Sequence, residues 1–432
     1  VGLLAVAGVT VCAMVAVVLR WCGLAWSWAL PALVAVPVAI LIGWQAALGY
    51  GAAAIAAVGT GVYLHVREVL AGGDLATRAR QRRGITDAPR ARVVRRRITD
   101  REWATDDGVA VGQDRTGAAV RIPVCGSRAA MILAAGATGS GKTVTMALMA
   151  LAAIRRGFGV VVVDPKPDDF LWKLLDDAAR RAGRRLTVWS PDGGSVYNPY
   201  QVGTDTEIVD KILSTETFTE PHYQRLAQRY LGHVVRSLRA AEITVSLATI
   251  HQYMQPARLS ALARELPDEK RLELLDYLET LTAQQERDLA GTRDRLAILA
   301  ESDVRDWLDP RTAGEKIDLR ASLENGDIVL FRLDSDRRPL ATGMLASAVI
   351  QDLVAISADR QHGDHRPGLV LIDEFSAIAA KEVARLFSRA RGAQLSVVLG
   401  TQELADLEAV LGALSSGGIR DRILGNLDVL VS

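Results

Sequence analysis

Gly136-Ala137-Thr138-Gly139-Ser140-Gly141-Lys142-Thr143 is the stretch on which the reading of this chain turns, and it matches G-x-x-x-x-G-K-[ST] in full. Before it, Ala130-Met131-Ile132-Leu133-Ala134 is a short apolar run of the buried-strand kind; after it, Val144 to Ile154 reads as a helix. That order makes a phosphate cradle. Glycines let the backbone curl until its N–H groups converge on phosphate oxygens, and the helix N-terminus adds the positive end of its dipole. Gly136, Ala137, Thr138, Gly139, Ser140, Gly141, Lys142, Thr143 and Val144 are the expected nucleotide contacts. Lys142 would reach the β- and γ-phosphates and the Thr143 hydroxyl would ligate magnesium. The implied ligands are ATP and Mg2+.

The partner of such a loop lies far downstream. Gly368-Leu369-Val370-Leu371-Ile372-Asp373-Glu374-Phe375 is an apolar strand ending in two carboxylates, the Walker-B arrangement. Asp373 is the candidate magnesium ligand and Glu374 the candidate general base that polarises the attacking water. Carboxylates also favour helix starts, so capping of the next helix is the plainer alternative. A further strand, Leu395-Ser396-Val397-Val398-Leu399-Gly400, ends at Thr401-Gln402, where an amide could orient water or sense the γ-phosphate. Ser388-Arg389-Ala390-Arg391-Gly392 closes the helix before it. Arg391 is the candidate arginine finger for a neighbouring subunit, against the alternative that Arg389 and Arg391 complement a helix C-terminus.

Strands alternate with helices on both sides of the middle of the chain, which implies a mostly parallel sheet covered on both faces. The expected fold is α/β, a RecA-like P-loop motor; in that class of ATPase a further strand lies between the two Walker strands, which would place Gln402 at the site. Gly326-Asp327-Ile328-Val329-Leu330-Phe331 is a turn and a strand, and Arg338 to Asp359 is expected to be an amphipathic helix. From about Thr204 to Pro310 no strand-like run occurs. Leu226, Tyr230, Val234, Val235 and Leu238 recur at helical spacing, and Pro221, Pro256, Pro267 and Pro310 fall at helix boundaries. The mixed charges from Arg258 to Arg305 suit solvated helix faces.

Four features together resemble the coupling ATPases of type IV secretion and conjugation (TraD/TraG-like), within the HerA/FtsK superfamily. They are the P-loop; the strand Val161-Val162-Val163-Asp164-Pro165-Lys166; the turn Tyr197-Asn198-Pro199; and Ile372-Asp373-Glu374-Phe375 followed by Ser388 to Gly392 and Thr401-Gln402. The resemblance covers about Gly108 to the C-terminus. It implies a ring of six copies on a bacterial plasma membrane with the motor in the cytoplasm. It further implies single-stranded DNA and a relaxase as partners, secretion-channel proteins beside it, and an all-α insertion that engages the transferred DNA or its relaxase. Read from its residues alone the segment is only a helical insertion, and bracing the oligomer is the structural alternative. A duplex translocase of the FtsK type, a protein-export ATPase, and a docking receptor with negligible turnover are the rivals.

The remaining sequence fits a membrane-bound protein. From Val1 to Val66 the only fully charged side chain is Arg20. A bilayer span takes about 20 apolar residues, so Val1–Leu19 and Trp21–Trp44 make two spans and Gln45–Val66 a possible third. Trp21, Trp26, Trp28, Trp44 and Tyr50 suit the interfacial belt, and Pro31 and Pro37 are tolerable inside a packed span. Arg78, Arg80, Arg82, Arg83, Arg90, Arg92, Arg95, Arg96, Arg97 and Arg101 follow, which places that side in the cytoplasm. The domain reading is an anchor over 1–66, an Arg-rich linker over 67–104, motor over 105–203 and 313–432, and the insertion over 204–312. Both ends look trimmed. Cys12, Cys22 and Cys125 form no disulfide or zinc pattern, and His362-Gly363-Asp364-His365 reads as a solvent-exposed polar loop rather than a metal site.

Overall fold

The computed structural model describes residues 103–105, 108–113, 119–124, 128–137, 139–214, 218, 220–361, 363–375, 380–402 and 429–431. The expected anchor over 1–66, nearly all of the linker, Thr138 and His362 lie outside the described residues. Strands β1 (Ala104–Thr105), β2 (Gly108–Gln113) and β3 (Ala119–Ile122) form a small sheet in that order, with β1 and β2 antiparallel.

The remaining described elements are organised around one parallel sheet. Its strands are β4 (Met131–Ala135), β5 (Gly159–Asp164), β6 (Leu186–Trp189), β7 (Ile328–Arg332), β8 (Gly368–Ile372), β9 (Leu395–Thr401) and β10 (Val429–Val431). They run in the order β10-β4-β9-β8-β5-β7-β6, every pair parallel. Strand β9 therefore lies between the P-loop strand β4 and the acidic strand β8. Crossover helices must cover both faces of such a sheet, which is why β5, β8 and β9 are apolar and buried along their length.

Alternation along each strand divides the interior into two cores. Ile132, Ala134, Val160, Val162, Leu369, Leu371 and Val398 face α1 (Lys142–Arg155) and α2 (Asp169–Arg181). Met131, Leu133, Val161, Val163, Val370, Ile372, Val397 and Leu399 face the opposite way. There they meet α10 (Pro339–Asp359) and α11 (Ala380–Arg389), and the apolar cluster continues without a break into the middle helices.

Those middle helices are α3 (Asp205–Leu213), α4 (Pro221–Ala240), α5 (Leu247–Tyr253), α6 (Pro256–Leu262), α7 (Asp268–Glu279) and α8 (Ala283–Ala300); α9 (Leu319–Asn325) leads back to the sheet. Proline opens α4 and α6 and precedes α7, where its missing N–H costs nothing. Capping boxes start α3, α5 and α8. Tyr230, Val234, Val235 and Leu238 are fully buried, in line with their helical spacing.

Two expectations need correction. Helix α10 is not amphipathic: Leu345, Ala346, Ser347, Ala348, Val349, Ile350, Leu353 and Val354 are all buried, because the helix is enclosed by the sheet, α11 and α3. Among the described residues it is the one helix long and apolar enough to cross a membrane, yet 67 % of its apolar window is buried, as in a core helix. Nor is His365 fully exposed. Its Nδ1 lies 3.0 Å from Glu324 Oε1, and Glu324 also accepts from the buried Arg360.

Candidate nucleotide site

The loop between β4 and α1 owes its shape to its glycines. Gly139 and Gly141 have φ of 80° and 91°, a region costly for a residue with a Cβ. At Gly136 the restriction is space, since a Cβ there would stand 2.3 Å from Ser140 Oγ. The Gly136 N–H donates to the Thr401 carbonyl at 3.1 Å, tying the loop to the tip of β9. Helix α1 begins at Lys142, earlier than the sequence suggested, with Gly141 as its N-cap. Thr143 therefore sits in the first turn, half-buried, and the exposed Val144 follows it.

At the neighbouring strand tip, the Asp373 N–H donates to the Val163 carbonyl at 3.1 Å, extending the β8–β5 ladder one residue past β8. Glu374 then takes φ 43°, a left-handed conformation that a side chain disfavours and that recurs at functional sites. Its N–H donates to Asp373 Oδ1 at 2.8 Å. The turn aims both carboxylates at the P-loop. Lys142 Nζ lies 3.3 Å from Glu374 Oε2 and 3.4 Å from Asp373 Oδ1. The three side chains are only 10 to 15 % exposed, so their charges are weakly screened. Residues 232 positions apart thus meet at one point on the C-terminal edge of the sheet, where ligands of open α/β sheets bind.

Register explains what surrounds them. Ala134 pairs with Gly400, Leu399 with Ile372, Ile372 with Val163, and Asp164 with Arg332. Ala134, Gly400, Asp373, Asp164 and Arg332 therefore form one row across β4, β9, β8, β5 and β7. Their preceding neighbours face the second core, so the row is directed toward α1. Gly400 is constrained by space alone: a Cβ would stand 2.4 Å from Asp373 Oδ1 and 2.9 Å from Met146 Sδ. Asp164 is 4 % exposed, and burial together with the nearby Asp373 raises its pKa from 3.8 to about 6, against two backbone N–H donors that favour its charge.

Gln402 follows Thr401, the residue that accepts the Gly136 N–H, and so stands at the mouth of the loop on the strand between the two Walker strands. Arg391 does not join this cluster within its own chain. It is exposed in the turn between α11 and β9, at the N-terminal edge of the sheet. The length of β9, about 20 Å at 3.3 Å per residue, separates that edge from the P-loop edge.

Sequence reading passed over Gly400 and gave Asp164 no role of its own. A glycine interrupting an apolar strand signals close approach by another group, and that signal was present at Gly400. Asp164 carried no comparable mark, because its neighbour across the sheet depends on strand order.

No family model matches the sequence, and no curated protein matches it. Solved structures do. The bacterial conjugative coupling protein TrwBdeltaN70 in an unbound form superimposes with a TM-score of 0.55 at 16 % identity, over 78 % of this chain and 73 % of that one. TrwB in complex with ADP and Mg2+ gives 0.53 at 18 % identity, over 78 % and 76 %. VirB4 of Thermoanaerobacter pseudethanolicus gives 0.51 at 14 % identity, over 76 % and 85 %. The resemblance drawn from sequence motifs thus has its counterpart in three dimensions: this chain has the α/β RecA-like P-loop fold seen in the conjugative coupling protein TrwB and in VirB4.

Proposed function

We propose that the chain is a membrane-anchored, ATP-driven DNA translocase that acts as a coupling protein in conjugative transfer or type IV secretion. The observation that carries this reading is the meeting of Lys142 with Asp373 and Glu374 at the mouth of a glycine loop. The likeness to TrwB, solved with ATP and GTP analogues and with ADP and Mg2+, supports it.

The residues fit a magnesium-bound triphosphate. Gly139 and Gly141 hold the loop open by their left-handed backbone, and a Cβ at Gly136 would strike Ser140. Backbone N–H groups of Gly139, Gly141, Lys142, Thr143 and Val144 and the Lys142 ammonium would hold the phosphates, while Gly136, its N–H tied to Thr401, fixes the start of the loop; the oxygens of Thr143 and Asp373 would hold the metal. Magnesium supplies charge neutralisation on the phosphate oxygens when bound. Glu374 polarises the attacking water and withdraws its proton, while Gln402 orients that water from the tip of β9. Arg391 lies too far away to serve its own subunit and would reach the γ-phosphate of a neighbour, which requires a closed ring, of six copies as the family resemblance implies.

The helical insertion would bear on DNA or a relaxase, and the Arg-rich linker and apolar N-terminus would fix the motor to the cytoplasmic side of the plasma membrane, next to secretion-channel proteins. Contacts to the strand would fall mainly on phosphate and weaken with salt. A protein-export ATPase is the second reading, favoured by the likeness to VirB4. Nucleotide hydrolysis by the full chain in detergent, with and without single-stranded DNA, separates the two. The translocase reading expects stimulation by DNA and loss of hydrolysis in Lys142→Ala and Glu374→Gln. Hydrolysis indifferent to DNA would instead favour protein export, and unchanged hydrolysis in both variants would remove the site from consideration.

A further inference from the structure

We infer that Asp164 is a positioning residue of the nucleotide site, fixing a second carboxylate beside that of Asp373 on the adjoining strand and anchoring it to the turn that starts α2, so that the pair favours a cation in front of Asp373. The inference rests on the nucleotide-binding reading above.

Asp164 and Asp373 are level on adjacent parallel strands, one residue beyond the Val163–Ile372 pair, and both are directed toward α1. The Asp164 carboxylate cannot turn away, because each oxygen is occupied by a backbone donor. Oδ1 accepts from the Lys166 N–H at 3.1 Å and Oδ2 from the Asp168 N–H at 3.2 Å. Asp168 in turn caps α2 by accepting from the Phe170 N–H at 2.8 Å. The main chain on either side is equally fixed: the Asp164 carbonyl accepts from Leu333 N–H at 2.9 Å and the Pro165 carbonyl from Ser335 N–H at 2.8 Å. The Asp164 charge therefore stands fixed beside Asp373, on a rigid turn that ends at an exposed Lys166 and an exposed Phe170.

A turn of this kind does not require a carboxylate. A serine or asparagine could accept one of the two backbone N–H groups, and in β5 it would avoid setting a buried negative charge beside another. Two adjoining carboxylates become favourable together when a cation faces both, even if only Asp373 touches it. A weakly screened second charge near a cation raises its affinity without touching it. Gly400 closes the other side of Asp373, so the ligand stands in a slot with a rigid acidic wall and a backbone wall.

The test is Mg2+-dependent binding of a fluorescent ATP analogue to the full chain in detergent, measured for the parent, Asp164→Asn and Asp164→Ser. Asparagine retains the volume and the acceptor for the Lys166 N–H. The Mg2+ concentration at half-maximal binding should rise roughly tenfold to a hundredfold in both variants. Affinity at saturating Mg2+ and the thermal midpoint of Asp164→Asn should stay near the parent's. Superimposable Mg2+ curves would overturn the inference. So would an Asp164→Asn protein that loses nucleotide affinity equally at all Mg2+ concentrations together with its thermal midpoint, since that is the behaviour of a fold residue. A parent that binds no nucleotide would sink the nucleotide reading itself, whereas superimposed curves sink only the role of Asp164.

Discussion

Adding a single methyl group at Gly400 tests whether the row across the sheet works as its geometry implies. In Gly400→Ala the new Cβ would stand 2.4 Å from Asp373 Oδ1, 2.9 Å from Met146 Sδ and 3.1 Å from Met146 Cε, where ordinary contact begins at 3.4 Å. Met146 is an unbranched side chain and can move aside. The Asp373 carboxylate has to retreat by about 1 Å, and its backbone is held in the sheet. A displacement of that size in a reacting constellation costs about 10²-fold in rate, whereas overpacking costs about 1–3 kcal/mol in stability. Turnover should therefore fall about a hundredfold while the protein stays folded, with the loss in kcat rather than in nucleotide affinity. Initial-rate ATP hydrolysis and urea unfolding, measured on the same preparations, separate the two effects. Combining Gly400→Ala with Met146→Ala makes room on the sulfur side only, so turnover should stay low. Turnover of Gly400→Ala within threefold of the parent, or recovery in the double variant, would refute the reasoning.

Other perturbations address the rest of the molecule. Lys211 and Asp352 are paired at 4 % and 12 % side-chain exposure, with Tyr197 Oη donating to the same carboxylate and Lys211 also donating to the Pro199 carbonyl at 2.7 Å. Lys211→Met leaves Asp352 buried and unpaired and should cost about 3–5 kcal/mol in urea unfolding; adding Asp352→Leu should restore most of it, and a neutral single variant would count against the pair. His233 is buried with its ring stacked on Tyr277 at a centroid distance of 4.0 Å, and burial followed by the Arg236 charge lowers its pKa from 6.5 to about 4. The folded state takes that proton less readily than the unfolded one, so its contribution is intact above pH 6.5 and is lost as pH falls toward 4. His233→Gln should flatten the fall of the thermal midpoint across that window, and an unchanged slope would exclude His233 as its source. Arg391→Ala should lower hydrolysis by roughly 10³–10⁵-fold, and mixing it with Lys142→Ala should regain part of the activity, because a Lys142→Ala subunit still supplies the finger to an Arg391→Ala neighbour whose own Lys142 is intact. A mixture as inactive as its parts would argue against a finger in trans.

Local chemistry made much of this chain legible before any fold was in view. The glycines and lysine from Gly136 to Thr143 can be recognised from residue types alone, because a phosphate cradle needs backbone freedom and a cation at set spacing. Apolar runs such as Val160 to Val163 and Leu369 to Ile372 announce strands buried on both faces, and Pro221, Pro256 and Pro267 mark where helices begin. Periodicity was a poorer guide at Arg338 to Asp359, where the neighbours enclosing the helix, rather than its own pattern, decide which sides are buried.

What residue order determined here is therefore the kind of the elements that carry the two Walker motifs and the loop proposed to hold phosphate. The order of strands in the sheet and their register were decided only in three dimensions. Those two facts bring Lys142 to Asp373 and, across 232 positions, to Glu374, set Gly400 and Asp164 on either side of Asp373, and leave Arg391 at the opposite edge. The physical reason is that hydrogen bonding within a parallel sheet is nearly indifferent to which apolar strand lies next to which. The choice is made by how the helices on both faces pack, and by the space that small residues such as Ala134 and Gly400 leave beneath α1.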